Sequence, residues 1–293
     1  MDPRQRGEQA EEAFEALRSL QFLGKKLWES SVDATKKHRI WAQGATDQVG
    51  HRNYLAQLLP HMKACTDPDF EIEFKTMTPS VTTVHALSEA RVARAVIRGA
   101  ITAEREGYDV FFMNHFQDVG LYDARAAVKI PVLGLGEATL LHACTMGRKL
   151  GLIAIHPAFI PIHNDQVYRY GLQQRIAGIR ATNASISDYM EAFTSPAKKS
   201  ELQSSFEHEA RRLIDRGADV IVPTGGITMM LFGQEPDANV DGAPIVNGVT
   251  VVVKAAEMAV KLKHLGVSVA SRIPQSGFAL PSALTLDEFL HHG

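Results

Sequence analysis

The sequence predicts an α/β protein with parallel, doubly wound sheets in two similar lobes around a cleft. Short apolar runs alternate with helical stretches through most of the 293 residues, as in strand–helix–strand crossovers. Two segments, residues 111–121 and 220–227, begin with an apolar run that stops abruptly at small or polar residues. In parallel sheets this pattern marks the carboxyl end of a strand, where open α/β folds bind ligands. One such end in each half of the chain predicts a site between two lobes.

Strands are predicted where short apolar runs are bounded by polar or turn residues. They cover residues 39–42, 71–74, 110–113, 132–135, 152–155, 176–179, 220–222 and 244–246. Helices are predicted where apolar residues recur at helical spacing among charged ones. They cover residues 9–30, 48–63, 84–106, 137–150, 196–216 and 249–265. We expect Pro60 to kink its helix or end it early, and the residues after Gly266 to form an irregular tail.

The lobe boundaries are predicted from the short crossovers near Ile130 and Pro244, because the chain has no low-complexity linker. Lobe 1 comprises residues 38–130 with 244–293, and lobe 2 comprises residues 131–243. Residues 1–37 form an N-terminal helical extension that precedes the first strand. We expect this extension to pack on the outside of its own chain or on another subunit of a homo-oligomer.

Composition excludes several functional classes. With 31 Lys and Arg against 33 Asp and Glu, the net charge of −2 gives no electrostatic reason to expect nucleic acid or a membrane surface. No apolar run reaches the ~18 residues that span a bilayer, and the N-terminus lacks the apolar core of a signal peptide. Cys65 and Cys144 are too few for a disulfide framework or a cysteine-rich zinc site. We expect a cytoplasmic protein whose partner is a small-molecule substrate.

Glycine-rich phosphate loops are absent from the sequence, so neither a dinucleotide site nor a Walker-type phosphate site is supported. A metal site would need His115, His156 and Asp118 to converge. The sequence contains no HExxH, HxH or paired-carboxylate spacing, so no metal site is predicted.

Several stretches, taken in this order, resemble one family. Residues 115–121 (HFQDVGL) are similar to its Cys-Phe-x-Asp-Pro-Gly-Leu motif, and residues 130–138 (IPVLGLGEA) to its Pro-Val-x-Gly-Ile-Gly-Glu-Ala motif. Residues 170–172 (YGL), 217–222 (GADVIV) and 247–249 (NGV) match further parts. The chain resembles the aspartate/glutamate/hydantoin racemase superfamily, most closely its hydantoin racemase branch. The resemblance implies two pseudo-symmetric α/β lobes with the site in the cleft, and an enzyme without metals or organic cofactors.

The departures from the family pattern concern its two cysteines, which face each other across the substrate carbon and exchange its proton. His115 occupies the first of these positions and Gly225 the second. Glycine has no titratable group, so Gly225 cannot serve as one arm of a two-base racemisation. The family's threonine pair after the fifth strand is replaced by His156-Pro157, and its Asn-Pro-Asn-Thr-like loop by residues 43–46 (QGAT). The scaffold is therefore expected to be kept and the chemistry to be changed.

His115 is the principal catalytic candidate, because an imidazole can act as a general base or acid around neutral pH. The alternative is a histidine that only hydrogen-bonds at a strand end. Asp118 could orient that imidazole or cap the helix that starts near Gly120. His156 could contact the ligand at the cleft edge or form a structural turn with Pro157.

The second half of the site is predicted at Thr224, Gly225 and Gly226, whose backbone N–H groups suit a substrate oxyanion or carboxylate. The alternative is a tight strand-to-helix turn that needs small residues. Thr78 and Ser80 could bind a small anion or cap the next helix. The predicted substrate-binding residues are Gln43, Thr46, Thr78, Ser80, Asn114, Asp118 and Gly226.

The sequence and its resemblance together predict a cofactor-independent enzyme that acts on a small hydantoin-like or thiohydantoin-like ring, expected to be carboxylated. His115 would activate water for attack on a ring C=S or C=O, giving desulfurisation or hydrolysis, with N–H groups near Gly225 stabilising the anion. A first alternative is a racemase or isomerase that uses His115 and an unrecognised second acid. A second alternative is a ligand-binding relative without catalysis.

Overall fold

Two separate parallel sheets organise the protein, whose computed structural model describes residues 37–81 and 83–292. The first sheet has the order β2-β1-β3-β4 and the second the order β6-β5-β7. The strands of the first sheet are β1 (His38–Gly44), β2 (Phe70–Lys75), β3 (Val110–Asn114) and β4 (Val132–Gly134). Those of the second are β5 (Leu150–Ala154), β6 (Ile176–Ala181) and β7 (Val220–Pro223). The predicted helix over residues 9–30 lies outside the described residues.

Helices alternate with these strands, which confirms the predicted α/β class. They are α1 (Arg52–Cys65), α2 (Ala86–Arg105), α3 (Leu121–Ala127), α4 (Leu135–Met146), α5 (Ile160–Arg169), α6 (Ile186–Ala192), α7 (Pro196–Ile214), α8 (Gly226–Phe232), α9 (Gly248–His264) and α10 (Ala283–His291). Their apolar residues follow the helical period; α7, for example, buries Leu202, Phe206, Ala210 and Leu213. None of the described helices is both apolar enough and long enough to span a membrane.

The central strands are buried along their whole length. Every residue of β3 and of β5 is buried, as expected for parallel strands covered by helices on both faces. One hydrophobic cluster contains Ile40 and Phe112 from the first sheet together with Leu152 and Val222 from the second. The two sheets therefore share a core.

Four predicted elements differ from the structure. The predicted helix 137–150 ends at Met146, and Leu150 already belongs to β5. Pro60 lies inside α1 without ending it, since α1 continues to Cys65. The run 132–135 is a strand only to Gly134, because α4 begins at Leu135. In place of the predicted strand 244–246, Ala243–Pro244 (β9) pairs antiparallel with Asn239–Val240 (β8), and Ile245 forms only an isolated parallel bridge to Ile221.

The tail after α9 is less irregular than predicted, because it contains α10. Ser282 caps this helix by accepting a hydrogen bond from the backbone N–H of Thr285. Leu286, Phe289 and Leu290 pack against a second hydrophobic cluster, which includes Phe111 of β3. Tertiary packing therefore stabilises a short helix whose sequence signal is weak.

The predicted division into lobes needs one correction at its first boundary. β4 pairs with β3, so the first sheet extends to Gly134 rather than ending near Ile130. The remaining lobe bounds stay a prediction. Helix α9 packs against α1 and β3 and also against α4 and α8, so it contacts elements from both halves of the sequence.

Candidate active site

A pocket of about 110 Å³ lies where β3 of the first sheet and β7 of the second sheet end. Residues following both strands line it, as do residues from the region before α1 and from the first turns of α2 and α8. Its polar and glycine lining consists of Thr46, His51, Tyr54, Glu89, Asn114, His115, Gln117, Thr224, Gly225, Gly226 and Thr228. Strand ends from both halves of the chain therefore meet at one cavity.

His115 is held by Glu89, which sequence reasoning did not identify. Its Nε2 atom lies 2.9 Å from Oε2 of Glu89, and the two side chains are only 14% and 10% exposed. A carboxylate can only accept, so the imidazole hydrogen is on Nε2 and Nδ1 is the basic nitrogen. Glu89 reaches the pocket from the first turn of α2, whose N-cap is His85. The arrangement can take a proton at Nδ1 and stabilise the resulting imidazolium.

Gly225 adds no side chain to the pocket, and its backbone does not require glycine. Its φ of 162° is extended, a conformation open to any residue. A Cβ built there would have Thr228 Oγ1, at 3.9 Å, as its nearest neighbour. The glycine therefore leaves open space in the pocket.

Gly226 is glycine for a different reason, which is close packing. A Cβ at this position would clash with the hydroxyl oxygen of Tyr54. Thr224, at the end of β7, is fixed in turn by the second sheet, because its backbone N–H donates to the carbonyl of Ile153. Each of residues 224–226 therefore contributes differently, through anchoring, open space and tight contact.

Tyr54 and His51 form the wall contributed by the α1 region, and neither was predicted. The Nδ2 group of Asn114 donates to the Tyr54 hydroxyl over 3.0 Å, and burial raises the pKa of Tyr54 far above its ordinary value. His51 is buried and directly precedes α1. Burial lowers the pKa of His51, and the Asp47 carboxylate at 4.0 Å offsets this only in part. Both side chains therefore present uncharged polar groups at neutral pH.

Asp118 performs neither of the two roles considered for it from the sequence. Its carboxylate accepts hydrogen bonds from the N–H groups of Gly136 (3.0 Å) and Glu137 (2.6 Å) and from the Tyr170 hydroxyl (2.7 Å). It therefore caps the start of α4, and it touches neither the His115 ring nor the amides of α3 with its side chain. Burial raises the pKa of Asp118 to about 6, although these hydrogen bonds oppose the shift.

Four further predicted residues also lie outside the pocket lining. His156 accepts a hydrogen bond from Ala158 N–H and so caps the short turn Pro157–Phe159. The amide oxygen of Gln43 accepts from the Trp41 indole, and the Ser80 hydroxyl donates to Asp47. Thr78 is exposed. Of the predicted residues, the pocket brings together Thr46, Asn114, His115, Thr224, Gly225 and Gly226.

Metal binding has no candidate group in the part of the chain that the structure describes. Within residues 37–81 and 83–292, no three His, Cys, Asp or Glu side chains are grouped so as to hold a metal ion. Cys65 and Cys144 are also absent from the pocket lining. The titratable side chains that line it are Glu89, His51, Tyr54 and His115.

Comparison with known proteins identifies the family. A family model for Asp/Glu/Hydantoin racemase matches residues 50–256. A hydantoin racemase from Rhizobium meliloti is 27% identical over 53% of this chain and 61% of its own length. A hydantoin racemase from Pseudomonas sp. (strain NS671) is 27% identical over 57% of this chain and 64% of its own length. The chain thus spans somewhat less than two thirds of these curated relatives.

Solved structures agree with the fold. An allantoin racemase from Klebsiella pneumoniae superposes with a TM-score of 0.70 at 22% identity, covering 84% of this chain and 94% of that chain. An allantoin racemase from Pseudomonas fluorescens gives 0.67 at 21% identity, covering 83% and 97%. The family match extends over well more than half of the sequence, which confirms the predicted resemblance. The chain belongs to the Asp/Glu/hydantoin racemase family, which is a family of enzymes.

Proposed function

We propose that this chain is a one-base enzyme of the racemase family that hydrolyses or desulfurises a small hydantoin-like ring without a cofactor. The observation that carries the proposal is the pairing of Glu89 with His115 in a pocket whose other side is formed by Gly225. A two-base proton exchange needs a titratable group on each side of the substrate carbon. Gly225 leaves open space in place of that group, and the proposal puts the attacking water there.

In the proposed reaction, Nδ1 of His115 takes a proton from this water while its oxygen bonds to the ring carbon of a C=S or C=O group. The electron pair of the double bond moves to sulfur or oxygen. The resulting anion accepts hydrogen bonds from the amides at the start of α8, where Gly225 provides no side-chain cap. Glu89 stabilises the imidazolium through the Nε2–H hydrogen bond.

The two substrates differ in the bond that breaks. With a thiocarbonyl, C–S cleavage follows, the imidazolium proton and the hydroxyl proton leave with sulfur as hydrogen sulfide, and the carbon becomes a carbonyl. With a carbonyl, the ring C–N bond breaks and the ring nitrogen takes the imidazolium proton. The opened carboxylic acid then releases its hydroxyl proton to solvent and becomes a carboxylate. In both cases His115 returns to its starting protonation state, so one histidine completes the cycle.

The hydantoin-like ring is proposed from the relatives. Two of them are named hydantoin racemases and two solved neighbours allantoin racemases. Hydantoin and allantoin both contain a five-membered ureide ring. A cavity of about 110 Å³ suits a ring of that size.

Racemisation or isomerisation is the second candidate, and His51 is the observation that favours it. His51 lines the same pocket, is buried, and has an Nδ1 atom without a hydrogen-bond partner among the described residues. Burial lowers the pKa of His51, so at neutral pH its ring is uncharged and able to take a proton. His51 would then be the second acid or base that Gly225 cannot be.

One experiment separates these activities. The protein is incubated with 2-thiohydantoin and with a single enantiomer of 5-methylhydantoin in D₂O, beside enzyme-free controls. Sulfide release or ring opening, with C5–H exchange no faster than in the control, supports the proposal. Enzyme-dependent C5–H exchange that His51→Asn abolishes supports the isomerase instead. Binding of the rings with none of these reactions would favour a ligand-binding protein.

A further inference from the structure

Unpartnered polar atoms are concentrated at the pocket. Within residues 37–81 and 83–292, five buried side-chain nitrogen or oxygen atoms have no hydrogen-bond partner. Four of them belong to residues that line the pocket, namely Thr46 Oγ1, His51 Nδ1, Glu89 Oε1 and Asn114 Oδ1. Buried polar groups in folded proteins are almost always paired, so such a concentration indicates groups that a ligand satisfies.

Two of these atoms are oxygens that can only accept hydrogen bonds, so the ligand must supply the donors. Glu89 already uses Oε2 for His115 and leaves Oε1 free, and Asn114 already uses Nδ2 for Tyr54 and leaves Oδ1 free. Both residues are buried, each with only 8% of its surface exposed, so bulk water is poorly placed to satisfy them. A ligand that satisfies both must therefore present two hydrogen-bond donors.

The charge of the pocket excludes an anionic group at this position. Glu89 is an acidic residue, and none of the described residues that line the pocket is Lys or Arg. A carboxylate placed here would have no donor to offer and would face Glu89 across a poorly solvated site. A dicarboxylic acid, or the acidic end of an amino acid, is thus a poor fit for this part of the pocket.

We propose that the pocket binds the uncharged N–H edge of a ureide or thioureide ring, with Glu89 Oε1 and Asn114 Oδ1 accepting from its two ring N–H groups. This inference rests on the proposed function and specifies its substrate class. A carboxylate substituent, where the substrate carries one, points away from Glu89. Thr46 and His51 bond the remaining polar atoms of the ring.

The same geometry links recognition to catalysis. Asn114 immediately precedes His115 at the end of β3, and Glu89 is the hydrogen-bond partner of His115. One proposed acceptor is thus the chain neighbour of the proposed base, and the other is hydrogen-bonded to it. A ring held by its two N–H groups is consequently fixed in distance and orientation relative to Nδ1 of His115.

The test measures binding rather than turnover, so that it remains informative even if the proposed reaction is wrong. Titration calorimetry on the wild type and on His115→Asn uses hydantoin, 1-methylhydantoin, 3-methylhydantoin, 1,3-dimethylhydantoin and succinate. Each N-methylation is expected to weaken binding about 10- to 100-fold, because it removes one donor and leaves one buried acceptor unpaired. Succinate is expected not to compete with hydantoin.

Two variants then assign each N–H group to its acceptor. In Asn114→Ala, one of the two monomethyl compounds should bind as well as hydantoin, while the other should still bind more weakly. In Glu89→Ala, the compound that binds as well as hydantoin should be the other one. Glu106→Ala, an exposed glutamate at the end of the same helix, is the charge-matched control and should retain both penalties. The ligand series measured on the wild type tests the inference by itself, so the test still stands if Asn114→Ala or Glu89→Ala fails to fold.

Three results would overturn the inference. They are failure of hydantoin to bind, equal binding of 1,3-dimethylhydantoin and hydantoin, and binding of succinate as tight as that of hydantoin. Failure of the proposed reaction alone has a different signature, in which the N–H discrimination is present but neither sulfide nor an opened ring is formed.

Discussion

Nε2 of His115 lies 2.9 Å from Oε2 of Glu89, although the two residues are 26 positions apart in the chain. The pair joins the end of β3 to the first turn of α2 across the rim of the pocket. It fixes the imidazole in one tautomer and leaves Nδ1 as its basic nitrogen.

Replacing His115 removes the proposed base without removing the pocket. His115→Asn keeps a donor for Glu89 but cannot take a proton at neutral pH, so kcat should fall by about 10²–10⁴-fold. Affinity for ring ligands should be largely kept, since the proposed acceptors Glu89 and Asn114 are unchanged. Steady-state kinetics and calorimetry on the same preparations measure both quantities. Wild-type turnover in His115→Asn would remove His115 from the mechanism.

Thiol alkylation should leave the activity intact, because neither cysteine lines the pocket. Cys65 lies on α1 beside His61, with its sulfur 3.6 Å from the imidazole, and Cys144 lies on α4. Treatment with iodoacetamide, followed by mass spectrometry to confirm alkylation and by an activity assay, tests this expectation. Rapid inactivation that substrate prevents would instead indicate a cysteine mechanism.

Replacing each of the two adjacent glycines by alanine should affect a different property, turnover at Gly225 and stability at Gly226. Gly225→Ala should leave the free energy of unfolding within about 1 kcal/mol of the wild type, because its backbone is extended and its Cβ meets open space. Its turnover should fall, since the methyl group occupies the space proposed for water. Gly226→Ala should cost about 1–3 kcal/mol of stability, because its Cβ would overlap the Tyr54 hydroxyl.

Urea unfolding and kcat, measured together, separate these effects. Gly226→Ala is the control for an added methyl group that acts through packing. If Gly225→Ala turned over substrate like the wild type, the open space at Gly225 would have no part in the reaction.

His163 should make the protein sensitive to acid. Burial lowers the pKa of His163 from 6.5 to about 4. Between these two values the unfolded chain binds the proton and the folded protein does not. The free energy of unfolding should therefore decrease as pH falls through this window, by up to about 1.4 kcal/mol per pH unit from this group.

Comparison with His163→Gln isolates this contribution. Asp118 acts in the opposite direction, since its raised pKa of about 6 favours the folded state at low pH, but both proteins contain it. Urea unfolding at several values between pH 6.5 and 4.5 should show a shallower loss of stability in the variant. Parallel curves would mean that His163 does not titrate in the expected range.

The fold was predictable to the extent that strands are buried along their whole length. The strands β3 and β5 are covered by other elements on both faces, so every residue in them is buried. Such strands appear in the sequence as continuous apolar runs, which can be recognised without knowledge of what packs on them. Helix α10 was not predictable, since its nine residues gain stability from packing against the first sheet rather than from their own sequence. The predicted strand at residues 244–246 was wrong for a related reason. An apolar run does not show how many partner residues a strand will find, and Ile245 forms only one isolated bridge, to Ile221.

The site was predictable where it is built from strand ends. His115 and residues 224–226 follow apolar runs, and parallel topology brings such positions to one edge. Glu89 and His51 were missed because they come from helix starts, where acidic or polar residues are common for reasons of capping and dipole. A sequence cannot tell which residue of a helical turn faces a distant strand.

The hydrogen bonds of Asp118 hold the loop after β3 independently of the side chain at position 115. The Asp118 carboxylate accepts from two amides at the start of α4 and from the Tyr170 hydroxyl. The backbone N–H of Asp118 donates to the carbonyl oxygen of residue 115. None of these bonds uses the side chain of residue 115. A substitution at position 115 therefore leaves all of these bonds in place. The side chain presented to the pocket from the end of β3 can thus change without loss of the contacts that hold its loop.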